Sequence, residues 1–292
     1  MKIGIIGGTG LYGMSELKSV TRKILKTPFG APSDAFVCGK LEGREVVFLP
    51  RHGEGHRILP SEINYRANII GLKMLGVGKV ISVSAVGSLK EEYRPGDIVL
   101  PDQYFDRTKA SDRHTFFGKG VVAHVSFADP VCADLRKAIA RTARNHVAKE
   151  LAGKNARVIE GGIYVNMEGP AFSTRAESNF HRSMGFDVIG MTSLAEAKLC
   201  REAEMCYQAM AFVTDYDCWR VSEEAVSVEM LIGVLKTNAA IAQGIVRRLA
   251  ADLPEGCSCS CRTSLKTAIM TDRARMPAAT RKKLAPIIGK YV

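Results

Sequence analysis

Short apolar runs alternate with amphipathic stretches along the whole chain, and the two patterns predict two kinds of element. Mostly apolar runs at residues 3–6, 44–49, 80–85 and 187–191 lead into turns that contain Gly, Pro or Thr, as buried strands do. Between them, apolar residues recur at helical spacing, most clearly over residues 60–74 and 227–249. Strands that alternate with helices predict an α/β fold with a central mixed β-sheet flanked by helices, in one domain over residues 1–292.

Local end signals set the predicted helix boundaries. The four shorter helices are predicted over about residues 60–74, 129–147, 174–185 and 193–208. Asp129-Pro130 are a cap and first-turn pair. Thr174 with Glu177, and Ser193 with Glu196, have the spacing of a capping box, in which two side chains satisfy free N–H groups at a helix start.

The acidic segment after residues 210–213 is the strongest candidate for chemistry. That apolar run leads directly into Thr214-Asp215-Tyr216-Asp217. If the strand continues, alternate residues point to one face, so Asp215 and Asp217 share a pocket. Two carboxylates so near to each other cannot both stay ionised in a dry site, so one of them keeps its proton. That protonated carboxyl group can then protonate a leaving group. The alternative is an Asx-containing turn after a strand, where Asp is common.

Other predicted strand ends carry groups that suit an oxyanion. In open α/β sheets, ligands bind at the carboxyl ends of the strands. These ends are Gly8-Thr9, Arg51-His52, Ser84-Ala85 and Met191-Thr192. Glycine turns expose N–H groups, Ser and Thr add hydroxyls, and Arg supplies a forked cation. An anion site beside a proton donor favours a displacement in which phosphate attacks and a base leaves.

A dinucleotide fingerprint is the competing interpretation of the first turn. Residues 8–13 match GxGxxG after a strand, the pattern that binds nicotinamide cofactors. However, residues 14–29 lack a clean helical stripe, and Asp34 lies in a turn-like context instead of at the end of a second strand. A lone fingerprint is weak evidence, so an NAD-dependent oxidoreductase remains a distant alternative.

Composition and charge exclude little but set expectations. The chain has 292 residues, 46% of them hydrophobic, and no apolar stretch of membrane-spanning length, so we expect a cytoplasmic protein with no membrane partner. The net charge is +11, and residues 262–292 hold eight Lys or Arg against one acid, Asp272. A basic tail of this kind could contact nucleic acid, but no such motif is present, so we expect a solvated surface or a subunit contact.

The eight cysteines fall into two groups. Five of them lie in apolar or helical contexts typical of small buried side chains: Cys38, Cys132, Cys200, Cys206 and Cys218. The other three stand at every second position of residues 257–261, a pattern that suggests metal binding or redox pairing. Because no CxxC spacing is present and the last histidine is His181, the sequence predicts no metal site and leaves this segment unresolved.

Together, these stretches resemble the S-methyl-5′-thioadenosine phosphorylases, within the trimeric purine nucleoside phosphorylase group. The matching motifs are IIGGTGLY at 5–12, RHG at 51–53, PSEINYRAN at 60–68, GSL at 87–89, MEGPAFSTRAES at 167–178, GMT at 190–192 and TDYDCW at 214–219. They extend over nearly the whole chain up to about residue 249. The cysteine-rich segment resembles a CxC feature of some archaeal relatives.

The resemblance implies a purine nucleoside phosphorylase-like fold and a set of roles. The implied phosphate site consists of Thr9, Arg51, His52, Ser84, Ala85 and Thr192. The implied substrate residues are Phe172 and Ser173 at the purine, Met191 at the ribose, Thr214, Asp215 and Asp217 near the base, and Val228 and Leu231 at the alkylthio group. His124 would complete that pocket from a neighbouring subunit of a homotrimer. No cofactor or metal is implied; inorganic phosphate is a co-substrate.

The implied reaction is the reversible phosphorolysis of S-methyl-5′-thioadenosine to adenine and 5-methylthioribose 1-phosphate, a step of purine and methionine salvage. Asp215, kept protonated beside Asp217, is expected to protonate the departing adenine. Asp at these positions favours a 6-amino purine, since a carboxylate accepts from an amino group. A 6-oxopurine nucleoside or methylthioinosine phosphorylase is the nearer alternative, and a basic binding module without turnover is another.

Overall fold

The apolar runs of the sequence form the strands of one sheet in the computed structural model. The structure describes residues 1–8, 11, 13–109, 113–150, 156–220 and 228–292, and it describes the side chains of all of these except 228–232 and 235.

The elements are numbered in chain order within the described residues. The strands are β1 (Lys2–Gly7), β2 (Lys18–Lys23), β3 (Phe36–Leu41), β4 (Arg44–Pro50), β5 (Val77–Ser88), β6 (Ile98–Leu100), β7 (Gln103–Arg107), β8 (Val158–Glu160), β9 (Ile163–Met167), β10 (Val188–Gly190) and β11 (Cys206–Asp215). The helices are α1 (Tyr65–Met74), α2 (Ala133–Glu150), α3 (Arg175–Ser183), α4 (Ser193–Glu202), α5 (Val228–Asp252) and α6 (Ala278–Ile288).

Strand β5 is the centre of the sheet because three other strands pair with it. It runs parallel to β1 and to β11, while Gly87 and Ser88 at its end pair antiparallel with β10. The continuous path is β2-β3-β4-β1-β5-β10-β9-β7, with β11, β6 and β8 joined to β5 as a branch. Parallel and antiparallel pairs occur together, which confirms the predicted mixed α/β sheet.

Side-chain alternation along β1 divides the core into two layers. Ile3 and Ile5 pack on one face with Ile245 of α5, whereas Ile6 packs on the other face with Ile69 of α1. Each such isoleucine, once fully buried, stabilises the fold by roughly 1.5 to 3 kcal/mol. Helices therefore cover both faces, and the strand ends are left to form a site.

Two helix starts lie downstream of the predicted positions. Pro60–Glu62 form a single 3-10 turn, and α1 begins at Tyr65 because the Asn64 side chain caps it by accepting from the Ala67 N–H at 3.1 Å. Met74, at the end of the predicted amphipathic stretch, is 46% exposed. Asp129-Pro130 do not cap α2 either, because the Arg136 N–H donates to the Cys132 carbonyl at 2.9 Å, which makes Cys132 the residue before the helix.

The two predicted capping boxes have opposite outcomes. The first is confirmed: Glu177 N–H donates to Thr174 Oγ1 at 3.2 Å, and Thr174 N–H donates to Glu177 Oε2 at 2.9 Å. The second is wrong, because α4 starts after Thr192 without a side-chain cap and both Ser193 and Glu196 bind distant partners. Helix α4 also ends at Glu202, six residues before the predicted end.

The basic C-terminal segment belongs to the core. Leu284, Ile287 and Ile288 of α6 are buried in the same cluster as Ile70 of α1. The expectation of a merely solvated tail is therefore wrong for its apolar face, although its charged residues stay at the surface. No helix in the described part of the chain combines the length and hydropathy needed to cross a bilayer.

Candidate active site

The carboxyl ends of β1, β4 and β5 meet at one edge of the sheet. Gly7 pairs with Pro50, the Arg51 N–H donates to the Gly7 carbonyl at 2.9 Å, and Ile6 pairs with Ser82. Arg51, His52 and Ser84 therefore converge as the sequence predicts. Thr9, the remaining predicted residue on this turn, lies outside the described residues.

Arg51 is held by a buried network instead of being free. Its side chain is 3% exposed, and Nε donates to Glu196 Oε1 at 2.5 Å. Nη2 donates to Ser82 Oγ at 2.6 Å and contacts Glu196 Oε2 at 3.4 Å, while Nη1 donates to the Val83 carbonyl at 3.2 Å. Burial acts to lower the pKa of Arg51, but the Glu196 carboxylate raises it by more, so the guanidinium stays charged.

This network corrects the role inferred for Arg51 from the sequence. A guanidinium has five N–H donors, and the contacts to Glu196, Ser82 and Val83 use four of them. The forked face points to Glu196, which leaves one Nη1 hydrogen for an anion at this strand end. Arg51 thus contributes one directed donor and a positive charge instead of a two-pronged clamp.

Glu196 is in turn fixed by hydroxyl groups. Ser82 Oγ donates to Glu196 Oε2 at 2.6 Å, and Tyr207 OH donates to the same oxygen at 3.0 Å. Ser193 Oγ lies 2.8 Å from Tyr207 OH and 2.7 Å from Tyr104 OH. Because the carboxylate and the guanidinium are both buried, these bonds offset part of the cost of removing two charges from water.

His52 is a neutral histidine with a defined tautomer. Its Nδ1 lies 2.8 Å from the Ile58 carbonyl, which can only accept, so Nδ1 carries the hydrogen and Nε2 is an acceptor. Its ring stacks on that of His56, with 4.2 Å between centroids. Burial, and after it the Arg51 charge, lower the pKa of His52 to about 4.

Two buried hydroxyls without partners lie beside this network. Ser84 Oγ and Tyr164 OH make no hydrogen bond to any described residue. Burial raises the pKa of Tyr164 to about 12, while the Arg51 charge acts to lower it. Buried hydroxyls are normally bonded, so these two are free to contact a ligand. Ala85 is exposed next to Ser84, and Thr192 is buried at the start of α4, where helix N–H groups attract anions.

The acid pair lies in a turn. β11 ends at Asp215, and Asp217 has φ +52°, in the left-handed region that Asp adopts more readily than most residues. The Asp217 N–H donates to Asp215 Oδ1 at 2.8 Å, which closes an Asx turn. The strand continuation predicted from the sequence is therefore wrong, and the alternative turn is correct. Both side chains still lie against Gly87, where an added Cβ would be 3.1 Å from Asp215 Oδ1 and 3.3 Å from Asp217 Cβ.

The hydrogen bonds of Thr214 allow two protonation states of Asp215. Thr214 Oγ1 lies 2.6 Å from Asp215 Oδ2 and 3.2 Å from the Val86 carbonyl oxygen. The hydroxyl has one hydrogen, and the carbonyl can only accept. If that hydrogen is directed to Val86, the short contact requires a proton on the Asp215 carboxyl group. If it is directed to Asp215, the carboxylate is ionised.

Asp217 presents the second carboxylate with an unused acceptor. Its Oδ2 is buried and has no partner among the described residues. An unsatisfied buried acceptor costs about 1 to 3 kcal/mol, so a ligand that donates a hydrogen bond here would recover that free energy.

The remaining predicted substrate residues border this turn. Ser173 accepts from Cys218 Sγ through its carbonyl at 3.2 Å, next to Asp217. Phe172 is 66% exposed, so its ring is available to a ligand. The Met191 sulfur lies beside Gly169, and the Met191 carbonyl accepts from Asn166 Nδ2 at 3.1 Å. The loop before Thr174 and the turn after β11 therefore form one rim.

The anion-binding end and the acidic turn are joined by β5. Ser84 lies at the first and Gly87 at the second, three residues apart on the strand. With a rise of about 3.3 Å per residue, the two ends are separated by roughly 10 Å. This spacing suits a molecule with an anionic group at one end and a hydrogen-bonding ring at the other.

Comparison with known proteins decides the family. The model of the phosphorylase superfamily matches residues 2–251. The chain belongs to the phosphorylase superfamily. An S-methyl-5'-thioadenosine phosphorylase of Geobacter sulfurreducens is 56% identical over 290 residues, which cover 99% of each chain. One from Koribacter versatilis is 55% identical, over 99% of this chain and 96% of its own length.

Solved structures of the superfamily share this fold. A methylthioadenosine phosphorylase from an antarctic soil metagenomic library matches with a TM-score of 0.89 and 45% identity, over 98% of both chains. A methylthioadenosine phosphorylase from Schistosoma mansoni in complex with adenine matches with a TM-score of 0.84 and 35% identity, over 92% of this chain and 99% of that one.

For three of the residues predicted by resemblance, the roles remain predictions. The side chains of Val228 and Leu231, predicted for the alkylthio pocket, lie outside the described residues. His124 is exposed, and its N–H donates to the Ala268 carbonyl at 2.9 Å, so its segment packs on the C-terminal region. An approach from a neighbouring subunit remains a prediction for His124.

Sequence reasoning missed several polar residues at the site. The sequence pattern places Glu196 in a helix cap and gives no signal for Tyr164. On α3, Ser178 Oγ and both ring nitrogens of His181 are buried without a partner among the described residues. Burial, and after it Arg107, lower the pKa of His181, while the Asp217 carboxylate opposes this shift. The helical spacing of Ser178 and His181 was the available signal, since residues three apart share a helix face.

Proposed function

We propose that this protein catalyses the reversible phosphorolysis of S-methyl-5′-thioadenosine to adenine and 5-methylthioribose 1-phosphate, in purine and methionine salvage. The observation that carries the proposal is that the anion-binding end and the acidic turn both border β5, at Ser84 and at Gly87, three residues apart. The names of the curated relatives, and the adenine in the Schistosoma mansoni structure, support this choice of substrate.

Phosphate is held at the first end by one donor of Arg51, the Ser84 hydroxyl, the Thr192 end of α4 and the first glycine turn with Thr9. As the glycosidic bond lengthens, the sugar gains oxocarbenium character, and the bound phosphate stabilises that charge electrostatically. Because Glu196 fixes Arg51 before the substrate arrives, little reorganisation is needed at this end. No cofactor or metal enters the step.

His52 selects the protonation state of the phosphate. Its Nδ1–H is bonded to Ile58, so Nε2 accepts a hydrogen bond from the P–OH group of monohydrogen phosphate. The arrival of a dianion near the ring raises the pKa of His52 from its low free value. This residue therefore orients phosphate without adding a competing positive charge.

Asp215 supplies the proton to the leaving adenine, and Asp217 binds its amino group. Thr214 Oγ1 lies 2.6 Å from Asp215 Oδ2 and 3.2 Å from the Val86 carbonyl oxygen, so with its hydrogen directed to Val86 it favours a protonated Asp215 carboxyl group. That proton passes from Asp215 to adenine as the glycosidic bond breaks. The unpaired Asp217 Oδ2 is an acceptor and suits the 6-amino group of adenine. A 6-oxo purine would place a second acceptor there. The 6-oxopurine and methylthioinosine alternatives are therefore less favoured.

We also propose a cytoplasmic homotrimer in which His124 of one subunit completes the alkylthio pocket of the next, beside Val228 and Leu231. The exposure of His124 supports this assembly, because the side chain is available to a second copy.

The test is base release measured at saturating phosphate for methylthioadenosine, methylthioinosine and adenosine. The proposal predicts the largest kcat/KM for methylthioadenosine. The value for adenosine should be only modestly smaller, since an apolar pocket rejects a hydroxyl weakly. Faster release of hypoxanthine than of adenine would instead assign the protein to 6-oxopurines. Release at the same rate in phosphate-free buffer would overturn phosphorolysis.

A further inference from the structure

Four cysteine sulfurs meet at the end of the sheet opposite the active site. Cys132, Cys206, Cys257 and Cys259 have sulfurs that all lie within 4.8 Å of one another. They come from three separate segments: the start of α2, the first residue of β11 and the chain after α5. The spacing rule that argued against a metal site considers only neighbours in sequence, so it could not detect this arrangement.

The distances within the cluster suit a shared ion. Cys206 Sγ lies 3.5 Å from Cys257 Sγ and 3.4 Å from Cys259 Sγ, and the last two are 2.8 Å apart. The described cysteines are all free thiols. Zinc–sulfur bonds of about 2.3 Å place the sulfurs of a tetrahedral site about 3.8 Å apart, within the observed range.

The surroundings of the cluster resemble the outer shell of a structural metal site. Cys132 and Cys206 are buried and the other two are half-buried, so an ion would be enclosed on most sides. The backbone N–H of Leu135 is directed to the Cys132 sulfur, and that of Cys261 to the Cys259 sulfur. N–H donors of this kind stabilise metal-bound thiolates and fix their orientation.

A buried lysine supports the same segment. Lys79 is paired in register with Cys206, and its Nζ donates to the carbonyls of Gly256, at 3.0 Å, and Pro254. It thereby anchors the chain directly before Cys257. Its charge also offsets part of the net −2 that four thiolates and a divalent ion would carry.

We propose that Cys132, Cys206, Cys257 and Cys259 bind one Zn²⁺ in a closed tetrathiolate site. Four sulfur ligands select zinc over hard cations such as Mg²⁺, and the absence of an open position makes the site structural. Binding releases the thiol protons to solvent and forms four Zn–S bonds without oxidation or reduction. The site joins the C-terminal segment to β11 and α2, roughly 30 Å from Asp215 along the strand.

Cys261 is a fifth thiol in contact with the cluster. It is buried and lies against Cys132 and Cys206. Since zinc takes four ligands, Cys261 is assigned as a neighbour of the site. A Cys261→Ser variant is therefore expected to keep the metal. If Cys261 were a ligand in place of the half-buried Cys257 or Cys259, the same variant would lose it.

The test measures metal content and ligand type in the full-length protein, purified under reducing conditions without chelator. The expected result is about one zinc per chain by mass spectrometry of the dissolved metal. Replacement by Co²⁺ is expected to give the intense visible and thiolate-to-cobalt absorption of a tetrahedral sulfur site. Cys257→Ser/Cys259→Ser should lose both signals, and Cys38→Ser, which changes a half-buried cysteine on β3, should keep them.

Three outcomes would overturn the proposal. One is zinc-free protein that also binds no Co²⁺. Another is a native chain lighter by two hydrogens for each cysteine pair, which would show disulfides among the same sulfurs. The third is full zinc content in the double variant. Because the double variant could fail to fold, removal of zinc from the wild-type chain by a chelator is a second measurement, and it should lower the thermal unfolding midpoint reversibly.

Discussion

The two ends of β11 show how one strand serves two different purposes. At its amino end, Cys206 is fully buried and contacts other thiols. At its carboxyl end, Asp215 and Asp217 are half-buried, and Asp217 Oδ2 is buried without a partner among the described residues. The eight residues Cys206–Val213 between these ends are all buried. The strand is therefore a rigid connection, and its chemistry is confined to its ends.

This difference separates stability from activity in the fold. Polar groups at the amino end have partners in the protein and contribute to holding the chain together. At the carboxyl end, one buried acceptor has no hydrogen-bond partner in the described part of the chain, so the free energy of that hydrogen bond is available to a substrate. Substitutions at the two ends should therefore change different measured quantities.

The strongest test of the carboxyl end is Asp215→Asn. An amide cannot donate a proton as an acid does, so we expect kcat to fall by about two to four orders of magnitude. The thermal midpoint should change little. Asp252→Asn, at the exposed end of α5, is the control and should leave both quantities unchanged. Turnover close to that of the wild type in Asp215→Asn would remove this residue from the acid role.

Glu196→Gln tests the buried network beneath the anion site, where stability and activity overlap. Removing one partner of a buried ion pair leaves Arg51 uncompensated, so the free energy of unfolding should fall by about 3 to 5 kcal/mol. The KM for phosphate should rise, because Arg51 is no longer oriented.

The matched control for that variant is a surface ion pair. Glu45 and Lys2 are 3.0 Å apart at the surface, and Glu45→Gln should change the free energy of unfolding by less than about 1 kcal/mol. Equal losses in the two variants, measured by denaturant unfolding, would contradict the assigned role of the buried network.

Phe172→Ala tests whether the exposed ring contacts the base. Stacking on an aromatic side chain is worth roughly 1 to 3 kcal/mol per base, so the KM for methylthioadenosine should rise accordingly. Stability should change by no more than about 0.5 kcal/mol, since the ring is exposed. An unchanged KM would show that the purine binds elsewhere. The control is Phe180→Ala, which removes a different exposed ring, located on α3.

The pH dependence of His52 gives the smallest expected effect. Its pKa is lowered to about 4 from an ordinary 6.5, so the folded state prefers the neutral ring. The stability that this preference contributes is fully present above pH 6.5 and is lost as the pH falls towards 4. NMR titration should show this low value, and saturating phosphate should raise it. A value near 6.5 in the free protein would contradict the lowered pKa that burial and Arg51 give this ring.

The sequence predicts the sheet better than the contacts at its edge. Apolar runs located β1, β4 and β5, and the Thr174 capping box is a local signal that the structure confirms. Strand ends then converge because parallel strands share an edge. These inferences depend only on neighbouring residues and on topology.

Long-range partners account for what the sequence did not predict. Glu196 has the spacing of a local cap, but its partner Arg51 is 145 residues away. The turn at Asp217 depends on a left-handed backbone conformation that strand alternation cannot represent. The thiol cluster joins three segments, and no short motif records it.

The most direct test of the central claim follows the fate of phosphate. Methylthioadenosine and inorganic phosphate are incubated with the protein, and the products are followed by phosphorus NMR together with adenine absorbance. The account predicts that one sugar 1-phosphate forms for each adenine released. Adenine released together with free methylthioribose, with the inorganic phosphate signal unchanged, would contradict it.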